Sequence, residues 1–190
     1  MRNSVHQALR DATAAAHDRV DAAFADFDLS DRASYARFLR AHAEVVWPME
    51  AALPGARLIE DWDSRKRGAL LKEDLAQLPR SVDSELVEGQ AFVWLGANSD
   101  LSVIAGTLYV LEGSRLGGRF LARSLPRGFP RAYLDADQRA EKWQQLLSRI
   151  AQLLTDGAAL DSAIAAAEAT FAAFERSAAH WRKVEVGDGR

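Results

Sequence analysis

Apolar residues in this chain recur every three or four positions over long stretches. Nowhere do they alternate, and that restricts the chain to packed helices. Val5, Leu9, Ala12, Ala16, Val20 and Phe24 mark one helix over 4–25, with Ser4 as its expected N-cap. A second is expected over 31–52, capped by Asp31, with a stripe through Tyr35, Phe38, Leu39, His42 and Val46 and a kink or stop at Pro48. Residues 54–63 read as a connector, and SRKRGALLKEDLAQL (64–78) as a third helix stopped by Pro79. Residues 83–97 read as a short helix or an irregular packed loop. A long apolar helix spans 99–124, the Pro- and Gly-rich PRGFPRAYLD is a connection, and 136–156 and 158–182 are the last helices. No internal repeat or interdomain linker interrupts the 190 residues. The expected fold is all-α, a compact multi-helix bundle in one domain, 1–190.

Composition narrows the function. The chain has no cysteine, which excludes disulfides, a thiolate nucleophile and a thiolate haem ligand. Its formal net charge of -3 argues against a dedicated nucleic-acid binder. The N-terminal stretch has no apolar signal core, and LSVIAGTLYVL is too short to span a bilayer. A cytoplasmic protein with neither a membrane nor a nucleic-acid partner is expected.

The centre of the 99–124 helix carries GSRLGG (113–118). Each glycine there costs about 1 kcal/mol relative to alanine. Gly113 and Gly117 share a helix face one turn apart. Without side chains they leave either room for a close helix crossing or a bend, or a bare shelf on which a flat ligand can lie. Ser114 could hold a water or bond the backbone. Arg115 and Arg119 are expected to be solvated or paired at the surface.

Four histidines are present: His6, His17, His42 and His180. No Glu-x-x-His or His-x-x-x-His spacing occurs, so a carboxylate-rich di-iron site is not supported. A single imidazole suffices where a macrocycle supplies the other four nitrogens. Arg10, Thr13, His17 and Asp21 fall within about 80° on the first helix. Asp21, one turn after His17, could accept the second imidazole N–H; a surface His–Asp helix pair is the competing reading. His42, on the apolar stripe of the second helix, reads as a core histidine. His180 suits a helix C-terminus, and His6 is expected to be exposed near the N-terminus.

Two segments carry a family resemblance. LRDATAAAHDRVD (9–21) resembles the proximal-helix signature of haem oxygenases, Leu-(Arg/Lys)-x-Ala-Thr-x-x-x-His. GTLYVLEGSRLGGRFL (106–121) resembles the bacterial distal-helix signature, Tyr-Val-x-Glu-Gly-Ser-x-Leu-Gly-Gly. Their separation fits as well, and the whole is most similar to the small bacterial members, particularly those paired with bacteriophytochromes.

The resemblance implies haem sandwiched between a proximal N-terminal helix and a kinked, Gly-rich distal helix. It implies His17 as the metal ligand and Gly113, Ser114 and Gly117 at the catalytic face. Arg10 would meet a propionate, with Thr13, Asp21, Tyr109 and Gly118 completing the haem contacts and Gly118 assisting the bend. Phe171 or Phe174 would pack near the ring. Mammalian members carry an aspartate in the distal glycine stretch, where this chain offers only Ser114 and Arg115 as polar groups. The implied reaction is cleavage of haem to biliverdin, CO and ferrous iron, using O₂ and an external electron donor (a ferredoxin or reductase), with a bacteriophytochrome as a recipient of biliverdin. A non-catalytic haem carrier or sensor on the same scaffold, and a helical interaction module with no ligand, are the alternatives.

Overall fold

The computed structural model describes residues 2–79, 95–136 and 139–183, and among them every regular element is a helix. In order these are α1 (Arg2–Ala25), α2 (Arg32–Ala52), α3 (Trp62–Arg65), α4 (Gly68–Ala76), α5 (Leu101–Ser124), α6 (Ala140–Leu153) and α7 (Gly157–Lys183). The chain is an all-α bundle, as its periodicity requires. The expected element over 83–97 lies outside the described residues except for Leu95–Ala97, which form part of the turn before α5.

α7 is the hub, packing against α1, α2 and α5. Its Ala-rich stretch lets neighbours approach closely, and the closest approach is to α5. A Cβ built on Gly106 would stand 2.0 Å from the Ala163 carbonyl oxygen, so no side chain fits at that crossing. α1 runs along α7 through Arg19–Glu175 and Arg182–Asp26, contacts that advance together on both helices. α2 is bound to the far end of α7 by Glu44, whose Oε2 accepts from Ser177 Oγ (2.7 Å), Trp181 Nε1 (2.8 Å) and His180 Nδ1 (3.2 Å).

Several boundaries differ from the sequence expectations. α1 begins before Ser4, which is therefore inside the helix and not its cap. Asp31 does cap α2, accepting from Ser34 N at 2.7 Å. α2 continues through Pro48, because Val45, Val46 and Met49 are buried on either side of it, and ends at Ala52 with extended Leu53 as its C-cap before Pro54. The expected helix over 64–78 is broken in two. Lys66 is extended, and the Glu50 carboxylate accepts the Arg67 and Gly68 N–H groups (2.7 and 2.9 Å), which starts α4 at Gly68.

His42 is a core histidine, as its place on the stripe implies. Its ring lies 4.4–5.7 Å from those of Phe38, Phe24, Tyr133 and Phe174, and Nδ1 meets the Phe38 carbonyl at 2.9 Å. Burial pulls its pKa down to about 4. The unfolded chain therefore takes up a proton near pH 6.5 that the folded chain refuses. Stability is complete above pH 6.5 and falls as the pH drops toward 4, by roughly 3 kcal/mol from this group alone. Urea midpoints measured between pH 7 and 4 should show this loss, and His42→Leu should flatten it.

The α5–α7 crossing makes a second prediction. Gly106→Ala should cost at least about 2 kcal/mol in urea unfolding, because the methyl meets backbone. Gly117→Ala should raise stability by about 0.5–1 kcal/mol, because nothing lies within 4 Å of the added carbon.

Candidate haem-facing site

α5 is one continuous helix through Gly113, Gly117 and Gly118, so the glycines do not interrupt it. They also do different jobs. Gly118 is buried, its virtual Cβ 3.3 Å from the Leu134 carbonyl oxygen, and it seats α5 on the 130–136 connector. Gly113 has only ordinary contact, 3.7 Å to the Trp143 ring, and Gly117 faces open space. Close packing thus explains Gly106 and Gly118 and leaves Gly117 without a structural need.

Gly106 and Gly117 are eleven residues apart, which returns to within about 20° on the helix. The face of α5 that carries α7 at Gly106 is therefore bare by Gly117. Leu116 and Phe120 flank it and are 57% and 74% exposed, the two large apolar side chains most open to solvent among the described residues. An uncovered apolar face around side-chain-free backbone suits a flat, apolar ligand.

The opposite side of α5 is committed to charge pairing. Glu112 is buried and accepts from Arg65 Nη1 (3.1 Å) and Arg115 Nε (2.8 Å). Arg115 also donates to the Arg65 carbonyl, and Arg65 to Asp61 Oδ1 at 2.8 Å. Arg115 is thus not the solvated residue the sequence suggests, although Arg119 is exposed. Arg67 Nη2 donates to Leu111 O and to Ser114 Oγ, both at 2.9 Å, and Ser114 Oγ donates to Leu111 O at 2.8 Å. Ser114 thus bonds the backbone, one of the two roles expected of it. The network escaped the sequence reading; the Arg-Lys-Arg run at 65–67 and the Glu112–Arg115 spacing were its only signals.

On α1, His17 is exposed, with Nδ1 3.2 Å from Asp21 Oδ2. A carboxylate at Nδ1 selects the tautomer protonated there and turns the Nε2 lone pair outward, the arrangement of a metal-binding imidazole. Phe171 of α7 stands edge-on to the ring at 5.7 Å, while Phe174 belongs to the His42 cluster. Thr13 is buried and its hydroxyl donates to Leu9 O at 2.8 Å, so its polar atom is already used inside the helix.

α1 and α5 meet through rings: His6 is 6.1 Å from Tyr109 and 6.2 Å from Trp143, and Tyr109 is 5.5 Å from Trp143. His6 is half-buried in this cluster, contrary to the exposed position expected for it. Burial raises the Tyr109 pKa and the charge of exposed Arg10 opposes that rise. His180 lies at the other end of α7 against Glu44. Among the described residues no group of three or more His, Asp or Glu side chains could hold a metal ion, and no helix is long and apolar enough to cross a membrane.

No family model matches the chain. It is similar to a haem oxygenase of Xanthomonas campestris pv. campestris (strain 8004), 33% identical over 156 residues, covering 76% of this chain and 88% of that protein. The chain belongs to the haem oxygenase family. Family membership implies haem as the ligand, and the donor set fits: one outward imidazole nitrogen, a cation in Arg10, and a bare apolar helix face.

The buried charges give a third prediction. Glu112→Gln removes the carboxylate that Arg115 and Arg65 share, leaving Arg65 only Asp61, and should destabilise the haem oxygenase fold by about 3 kcal/mol in urea unfolding. Exposed Arg119→Gln should leave the midpoint unchanged.

Proposed function

We propose that this haem oxygenase binds haem through His17 Nε2 and cleaves it to biliverdin, CO and ferrous iron, using O₂ and electrons from an external donor such as a ferredoxin or reductase. The observation that carries the reading is the pairing of His17 with Asp21 on α1, together with the uncovered face of α5 at Gly117. When bound, haem supplies both the iron that takes up O₂ and the ring that is oxidised.

The residues of the chain bind and orient. Asp21 accepts from His17 Nδ1 and so orients the ring with Nε2 as the nitrogen left for the iron. Phe171 backs the imidazole and limits its rotation. Arg10 offers a charge to a propionate and, beside Tyr109, biases which edge of the ring faces outward. Gly117 admits a planar ring to van der Waals distance of the backbone, with Gly113 one turn away beside the Trp143 ring and Leu116 and Phe120 excluding water. Ser114 acts indirectly. Its hydroxyl, held by Arg67 and Leu111, ties the shelf to the buried charges behind it.

Hemin titration followed by reductant and O₂ tests the proposal. The wild type should show a histidine-ligated Soret band and yield biliverdin; His17→Ala should lose both. Nothing lies within 4 Å of a Cβ at Gly117, so Gly117→Leu should fold normally and lower biliverdin yield at least tenfold. Unchanged yield in either variant rejects the assigned role, and haem binding without biliverdin from the wild type indicates a carrier.

A further inference from the structure

Among the described residues, Arg37 and Arg40, three apart on α2, are arginines that carry buried, unpaired N–H groups. Arg40 is 6% exposed. Its Nη2 donates to Pro79 O at 2.8 Å and its guanidinium lies over the Trp181 ring at 5.8 Å. Its Nη1 is buried without a hydrogen-bond partner, and so is Arg37 Nε. A buried guanidinium N–H left unpaired is costly, and two on neighbouring arginines of like charge more so.

Helical spacing offers a remedy that the structure does not use. Glu44, one turn after Arg40, is the natural partner, but its Oε2 takes Ser177, Trp181 and His180 instead. Burial and the nearby Arg37 charge both lower the Arg40 pKa, with no carboxylate opposing them. Pro79 and Trp181 fix Arg40, and Arg37 beside it is half-buried, its side chain only partly covered. Trp181 is ten residues, about 15 Å of helix, beyond the Phe171 that backs His17. The pair is therefore separate from the haem-facing site.

We infer that Arg37 and Arg40 form a binding site for an oxyanion, a phosphate or carboxylate group that accepts the two unpaired N–H groups. Guanidinium forks match the paired oxygens of both anions. A ligand here would bind where α2 meets the end of α7, independently of haem.

Thermal unfolding of the full chain at constant ionic strength, with sodium chloride as reference, tests this using inorganic phosphate and succinate as separate probes. A saturable rise in Tm of about 4 °C over chloride is expected with at least one of them. A rise with phosphate alone names a phosphate ligand, and a rise with succinate names a carboxylate. Arg40→Gln should abolish the rise. Arg37→Gln, at a half-buried position that folds readily, should weaken apparent affinity at least tenfold while leaving the hemin Soret titration unchanged. Equal Tm values in chloride, phosphate and succinate, or a response that survives both substitutions, would overturn the inference.

Discussion

The contact between Gly106 of α5 and the Ala163 backbone of α7 sets the architecture. Because α7 also carries α1, the two helices that bear the candidate haem contacts are placed relative to each other through this third one. Small residues make that possible. A side chain at Gly106 would push α5 outward and move Tyr109 away from His6 and Trp143. The same face of α5 is left uncovered three turns later, where Gly117 has no neighbour. One helix face thus serves as a packing surface at its start and an open shelf at its end.

Behind that shelf, charge pairing adds to the apolar packing that holds α5 in place. Glu112 joins Arg65 and Arg115, and Arg67 reaches the Leu111 carbonyl and Ser114. Satisfied buried ion pairs contribute little net stability against an apolar equivalent, but they tolerate few alternative arrangements. They clamp α5 to the α3–α4 segment, so the backbone at Gly113 is held in place by the opposite side of its own helix. The absence of an aspartate in the glycine stretch acquires a physical sense here: Ser114 is turned toward Arg67, and a carboxylate at that position would face the buried arginines rather than the bare face.

What could be read from the sequence were the features local to one helix. The stripe of α2, the Asp31 cap and the core position of His42 all repeat with the helical period and are found where expected. The His17–Asp21 pair is one turn long and is likewise found. What could not be read joins residues far apart along the chain. Glu50 starting α4, Arg67 bonding Ser114, Gly106 against Ala163 and the His6–Tyr109–Trp143 cluster leave no periodic trace. Arg115 shows the limit most clearly, since an arginine beside glycines reads as solvated until its buried partner is known. The three clustered glycines were noticed together, yet only the neighbours of each one separate the shelf positions from the packing position at Gly118.

The proposed function rests on a single imidazole paired with Asp21 on α1 and on the open backbone of α5 at Gly117. A crystal structure of the ferric haem complex tests it most directly. The account predicts the iron bonded to His17 Nε2, with the Gly113 and Gly117 backbone against the opposite ring face. Iron bonded to His6 or another residue, or a macrocycle seated away from α5, would contradict it.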